Sequence, residues 1–206
     1  MIVLYGDHPE VGKDTVARLL MNKGFTRVAF ADALYREVSD AYGIPEQELR
    51  GRILKENPQT RLSRHHCGNP EFSDLLGEMG YAPESPMSPR WVLRYWGAEY
   101  RRGQSENYWV NQLEKTLEKA DFDKVVLTDS RFFNEFSWAG SHGGVFVKLY
   151  TNGFPEKDWG EHESDRAGKL WPPDHVIVNC FDNFQDLEVQ VRDLFELVGK
   201  KPSGMV

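Results

Sequence analysis

Cysteine is scarce in this chain. There are two, Cys67 and Cys180, with no C-x-x-C pair and no metal-ligand spacing. A disulfide framework is not indicated, and a reducing cytosol is the expected compartment. His65-His66-Cys67 puts three ligand-type residues side by side, but adjacent ligands without a second pair are a poor metal signature. Long apolar runs are missing too. No stretch approaches the roughly 20 residues needed to span a bilayer. The chain runs from its first residue straight into a strand, with no basic segment or cleavage pattern, so no secretory leader is expected. Positive charge is in deficit: the net charge is −7. That argues against a general nucleic-acid surface but suits a small anionic substrate held in a local basic pocket. Internal repeats and low-complexity tracts are absent.

What is present suffices for a folded core. The 206 residues are 40% hydrophobic and 13% aromatic, which fits one domain, with two small ones as the alternative. The most informative stretch is Tyr5 to Thr15, YGDHPEVGKDT. Ahead of it, Met1 to Tyr5 is an apolar run of the kind used by a buried parallel strand. Behind it, Val16, Leu19 and Leu20 repeat at helical spacing. Strand, Gly-bounded loop, lysine and helix together form the context of a phosphate-binding loop. Backbone N–H groups of such a loop and of the helix N-terminus favour negative charge. Lys13 adds a cation for the β- and γ-phosphates, and Thr15 is the candidate hydroxyl for Mg²⁺. Two departures stand out. Five residues, not four, separate Gly6 from Gly12, so either the loop is one residue longer or Asp7 holds the first-glycine position. Asp14 also intervenes between Lys13 and Thr15.

Further along, Phe25 to Phe30 alternates as a second strand. A helix opens over Ala31 to Arg36 with Asp32 at its N-cap, where it either caps or faces a ligand at the strand's carboxyl edge. Ile44-Pro45 ends that helix. Residues 50 to 88 hold many prolines and glycines and read as short helices and loops. Ser88-Pro89 starts a helix, with serine as N-cap and proline in the first turn. On it, Arg90, Arg94 and Arg101 fall at i, i+4 and i+11, on one face, among Trp91, Trp96 and Tyr100. Guanidinium groups bind phosphate bidentately and rings stack on a base; a solvated basic face over an aromatic core is the alternative. Trp109, Leu113 and Leu117 continue as another helix. Lys124 to Thr128 is a third strand running into Asp129, which has the form of a Walker B carboxylate and can also be the N-cap of the next helix. Residues 144 to 149 and 174 to 178 are the fourth and fifth strands. Between them, Tyr150 to Trp171 is polar and turn-rich, a lid or a plain surface loop. Phe184, Leu187, Val191, Leu194 and Val198 form a closing amphipathic helix.

The chain resembles bacteriophage deoxynucleoside monophosphate kinases, within the wider adenylate-kinase-like P-loop kinases; dephospho-CoA kinase is a more distant look-alike. The resemblance is carried by GKDT from Gly12, FADALYRE from Phe30, SPRWVLRYWGAEYRR from Ser88, VVLTDSRFFNE from Val125, HESD from His162 and DHVIVNCFDNFQDL from Asp174. These fall in the family's order over nearly the whole chain, and SPR…WG-EYRR and TDSRF-NE are the most specific. The resemblance implies an α/β three-layer P-loop fold with a five-stranded parallel sheet. It implies a core of about residues 1–31 and 107–206, a helical monophosphate-binding insertion of about 32–106 and a short lid of about 150–171. It implies transfer of the γ-phosphoryl of ATP, with Mg²⁺, to a deoxynucleoside 5′-monophosphate for DNA precursor synthesis.

Carried onto this sequence, Gly6, Val11, Gly12, Lys13, Asp14 and Thr15 hold the ATP phosphates, and Asn179 lies near adenine. Thr15 and Asp129 hold Mg²⁺, directly or through water. Lys13, Asp129, Arg131 and Arg166 serve the transferred group. Asp32, Arg36, Arg90, Arg94, Trp96, Glu99, Arg101 and Arg102 line the acceptor site. The expected setting is the cytoplasm, that of the host if the chain is phage-encoded. The expected partner is a small nucleotide, with no nucleic acid or membrane, and a homodimer is compatible. The rival readings are a dephospho-CoA-type metabolite kinase and a non-catalytic nucleotide-binding partner of a replication or nucleotide-synthesis complex.

Overall fold

The structure is a computed structural model describing residues 1–6, 10–51, 53–118, 120–151, 168–181 and 183–199. In chain order its elements are β1 (Ile2–Gly6), α1 (Lys13–Met21), β2 (Thr26–Val28), α2 (Ala31–Tyr42), α3 (Glu46–Arg50), α4 (Pro70–Glu78), α5 (Pro89–Tyr95), a π-helical segment (Trp96–Arg102), α6 (Tyr108–Leu117), β3 (Val125–Leu127), α7 (Phe133–Ser141), β4 (Val145–Thr151), β5 (His175–Asn179) and α8 (Phe184–Gly199). They fall into two compact units, one of Met1–Ala29 with Thr116–Val206, the other Phe30–Lys115.

The first unit is built on a five-stranded sheet of order β2-β3-β1-β4-β5, parallel in every pairing. A parallel sheet is covered on both faces, so its central strand is apolar at every position; Ile2, Val3, Leu4 and Tyr5 are all buried. On one face Ile2, Leu4, Val147 and Ile177 pack with Val16, Ala17 and Leu20 of α1 and with Leu187, Val191 and Leu194 of α8. Burying each such side chain stabilises the fold by about 1.5–3 kcal/mol. On the other face the Tyr5 ring meets Phe136 of α7 edge-on at 5.2 Å, and Phe136 stacks on Phe146 and Trp171. The result is the expected three-layer α/β fold. The chain leaves β1 towards β2 on one side and ends on β4 and β5 on the other. The carboxyl end of β1 is therefore where the order reverses, the usual place for a ligand in such sheets.

The second unit is helical. Ser88 caps α5 as expected, its Oγ accepting from the Trp91 N–H at 3.2 Å, with Pro89 in the first turn. An antiparallel bridge joins Gln59 to Met87, and Leu62, Phe72, Leu76, Val92 and Trp96 form the buried centre.

Several local expectations are corrected. Asp32 is not an N-cap: α2 begins one residue earlier behind the buried Phe30, and Asp32 lies in its first turn. The N-cap position falls on Phe30, which has no side-chain cap. Asp129 is not the cap of α7 either. That helix starts at Phe133, and the Glu135 carboxylate reaches back to accept from the N–H groups of Arg131 (2.7 Å) and Phe132 (3.2 Å). Phe184 heads α8 but is exposed, off its buried stripe. Strand β2 is shorter than expected, Thr26–Val28; Ala29 and Phe30 are buried beyond its end. Tyr150 and Thr151 belong to β4, and Trp171 packs on Phe136 and Phe146. Gly168 to Leu170 form a short helical turn; residues 152–167 of the expected lid, with Arg166, lie outside the described residues.

Candidate functional site

The loop after β1 is organised by two glycines. Gly6 closes the strand, in register with Leu149 of β4. A Cβ there would stand 2.8 Å from Val11 Cγ2 and 2.9 Å from the Leu149 carbonyl oxygen, so no side chain fits. Close packing thus requires glycine at position 6; Asp7 lies outside the described residues. Gly12 occupies the N-cap of α1 with φ +100° and ψ 14°, a left-handed conformation natural only to glycine. Its carbonyl accepts from the N–H groups of Thr15 and Val16, both at 3.0 Å, and this starts the helical ladder. The first-turn N–H groups ahead of that ladder point out of the helix end, where an anion is favoured. A left-handed residue followed by helical ones is also the backbone form of an anion-binding nest. Val11 is fully buried; Lys13 and Thr15 are half-buried, and Asp14 is exposed in the first turn.

At the end of β3, Asp129 is half-buried. Its neighbours Thr128 and Ser130 are 4% and 7% exposed, and their hydroxyls lack a hydrogen-bond partner among the described residues. Such a group costs about 1–3 kcal/mol when left unsatisfied. Both flank a half-buried carboxylate just past the carboxyl end of β3. The arrangement was legible in sequence as the T-D-S triplet. Arg131 follows, exposed, its backbone N–H held by Glu135.

Asn179 ends β5 and is 5% exposed. Its Nδ2 donates to the Val11 carbonyl at 3.1 Å and its Oδ1 accepts from the Phe181 N–H at 3.2 Å. The amide of Asn179 thus ties the loop after β1 to the turn after β5.

In the helical unit, the expected row of arginines is divided. The α-helix stops at Tyr95, and a π-helical segment carries the chain to Arg102. Spacing of i, i+4 and i+11 marks one face only along an uninterrupted α-helix, and π segments pair i with i+5. Arg90 pairs with Glu56 at the surface, and Arg94 is exposed. Arg101 is turned instead to Glu37, whose carboxylate accepts from Arg101 Nε (2.7 Å), Trp96 Nε1 (2.8 Å) and the Tyr108 hydroxyl (2.5 Å). Its guanidinium lies over the rings of Tyr100 and Tyr108 at 4.5 and 4.9 Å. Burial alone would lower the Arg101 pKa; the Glu37 hydrogen bond and charge outweigh it and raise it. Burial, then Glu37, pushes Tyr108 up to about 12, so it stays a neutral donor.

Trp96 is corrected as an acceptor-stacking ring. It is 1% exposed and packed on Phe72 and Tyr100 at 4.7 and 5.3 Å, a core residue. Glu99 and Arg36 are exposed, and Arg102 Nη1 donates to the Glu106 carbonyl at 3.2 Å. Asp32 is bound by Arg50 Nη2 at 3.1 Å; that guanidinium also reaches Glu46 and covers the Tyr35 ring at 4.0 Å. Lys55 Nζ donates to the Tyr35 hydroxyl at 3.2 Å. Glu37 and Tyr108 were missed from sequence because their partners are distant in the chain.

The Glu37 hub gives a stability prediction. Glu37→Ala removes one acceptor from three donors and leaves Arg101 without its counter-charge. The expected loss is about 2–3 kcal/mol, read as a lower Tm and denaturation midpoint. An unchanged midpoint would show the hub to be energetically idle.

Among the described residues no three His, Cys, Asp or Glu side chains gather as a metal cluster, and no helix is long and apolar enough to cross a membrane. No family model matches the chain. It is similar to the deoxynucleoside-5′-monophosphate kinase of Escherichia phage T5, with 28% identity in an alignment of 243 positions covering 96% of this chain and 97% of that protein.

Proposed function

We propose that this chain is a nucleotide kinase that transfers the γ-phosphoryl group of ATP to a deoxynucleoside 5′-monophosphate, giving ADP and the diphosphate. One observation carries the reading: left-handed Gly12 capping the Lys13 helix, at the carboxyl end of the central strand where the sheet order reverses. The name and full-length coverage of the similar phage protein support the choice of acceptor.

In this reading the first unit holds the donor. The backbone from Gly12 to Thr15 cradles the β- and γ-phosphates, and Lys13 follows the charge that moves during transfer. The oxygens of Thr15 and Asp129 would supply the hard donors that suit Mg²⁺ and its water; Thr128 and Ser130, on either side of Asp129 in the chain, carry hydroxyls without a hydrogen-bond partner among the described residues. Mg²⁺ when bound supplies neutralisation of the phosphate oxygens. Arg131 adds a cation, and Arg166 would do the same from the lid. The second unit supplies the acceptor cations Arg36, Arg90, Arg94 and Arg102, with Asp32 held in place by Arg50 to orient the nucleotide. Arg101 acts through its Glu37 contact, keeping the arginine-bearing segment in shape. No dedicated base is needed, because the acceptor oxygen is already anionic and phosphoryl transfer rests on alignment and charge.

The test is ADP release from Mg-ATP with each deoxynucleoside monophosphate, and with dephospho-CoA as the competing acceptor. Turnover with a monophosphate and none with dephospho-CoA is expected; the reverse pattern would replace this reading. Arg90→Ala separates the two substrates. It should raise KM for the monophosphate about tenfold, the cost of one charge-assisted contact at roughly 1.5 kcal/mol, and leave KM for ATP within about twofold. Equal effects on both would remove Arg90 from the acceptor side.

A further inference from the structure

The contact between Asn179 and Val11 joins residues 168 positions apart, and it acts on the part of the loop that meets phosphate. We infer that Asn179 is a positioning residue: it aims the phosphate-binding N–H groups by holding the Val11 carbonyl, and it does not read the nucleotide base. This rests on the kinase reading of the same loop.

The argument follows from peptide geometry. The side-chain amide orientation is dictated by its partners, since the Val11 carbonyl can only accept and the Phe181 N–H can only donate. All described peptide bonds are trans. In a trans peptide the C=O and the following N–H point in opposite directions. Drawing the Val11 carbonyl towards Asn179 therefore turns the Gly12 N–H away from Asn179. Gly12 then takes its left-handed turn, and the N–H groups of the α1 first turn follow. A Cβ on Gly12 would fall on the Asn179 amide, so the two residues are in direct register. The other end of the clasp is also fixed: Phe181 holds φ +51° with its N–H bound to Asn179 Oδ1. Each end of its amide is engaged once; one N–H and one lone pair remain, but with only 5% of its surface exposed Asn179 offers little of either to a base. Released, the Val11–Gly12 peptide is free to flip, and a flip would present a carbonyl oxygen to the phosphates.

The experiment compares binding of ADP, adenosine and inorganic tripolyphosphate by calorimetry in the parent, Asn179→Ala and Asn179→Asp, each checked for a cooperative melt. Asn179→Asp keeps the shape and the acceptor for Phe181 while removing the donor to Val11. Tripolyphosphate and ADP should both weaken by about tenfold or more in either variant, as loss of one buried hydrogen bond and misaim of the loop predict. Adenosine binding should stay within twofold of the parent. Asn179→Asp also adds a negative charge near the loop, so the neutral Asn179→Ala decides whether loss of the Val11 contact alone weakens both phosphate ligands. Parent-like tripolyphosphate affinity in a folded Asn179→Ala protein, with ADP or adenosine weakened, overturns the inference and returns Asn179 to the base. A parent that binds neither ADP nor tripolyphosphate overturns the phosphate-loop reading itself.

Discussion

Lys13→Ala will remove phosphoryl transfer while leaving the fold intact. Lys13 is the first residue of α1, half-buried. A cation at the positive end of a helix dipole is unfavourable by about 0.3–1 kcal/mol when nothing is bound. Alanine is also the best helix former. The substitution should therefore leave the Tm of the free protein within a few degrees of the parent, a change of roughly 1 kcal/mol or less. With polyphosphate bound the sign reverses, because the ammonium then faces the anion that both it and the helix end attract. Loss of one such group aimed at developing charge typically lowers kcat by about 10²- to 10³-fold. The thermal shift induced by Mg-ATP should fall with it. A melt, a far-UV spectrum and an ADP-release assay decide the matter together. Normal turnover in a folded Lys13→Ala protein would sink the phosphate-loop reading, because no other described side chain in the first turn of α1 carries a positive charge.

Gly12→Ala will weaken both stability and nucleotide binding. The left-handed backbone, φ +100°, costs a non-glycine residue about 1–2 kcal/mol. The new methyl must also displace the Asn179 amide, breaking its bond to Val11, for about 0.5–1.5 kcal/mol more. A total of roughly 2–3 kcal/mol corresponds to a Tm lower by about 5–10 °C in a chain of this size. Gly24→Ala is the internal control. Gly24 has φ +90°, but its Cβ would meet nothing within 4 Å. It should show the backbone cost alone, with ADP affinity unchanged. Equal loss of ADP affinity in both variants would mean that the steric register between Gly12 and Asn179 has no functional weight.

Features set by neighbours in the chain were legible in the residues alone. Met1 to Tyr5 is apolar throughout because a central parallel strand is buried on both faces, and Gly12-Lys13 marks the helix start that follows. Ser88-Pro89 carries its cap within three residues. The α8 stripe repeats Leu187, Val191 and Leu194 on one helical face. Each of these depends on contacts a few positions away or on a face that periodicity exposes. Tertiary structure decided the rest. Periodicity placed Trp96 on a helix but could not tell a ring facing a ligand from one facing the core, and the Phe72 and Tyr100 rings took it inward. The arginine row assumed an unbroken α-helix, and the π-helical segment ended that assumption after Tyr95. Glu37 gathers donors 59, 64 and 71 residues away. Asn179 reaches Val11 across nearly the whole chain. A side chain's role at such points depends on which partners the packed sheet and helices bring to it. Local sequence constrains backbone torsions and the face each residue occupies, and long-range burial chooses the partner.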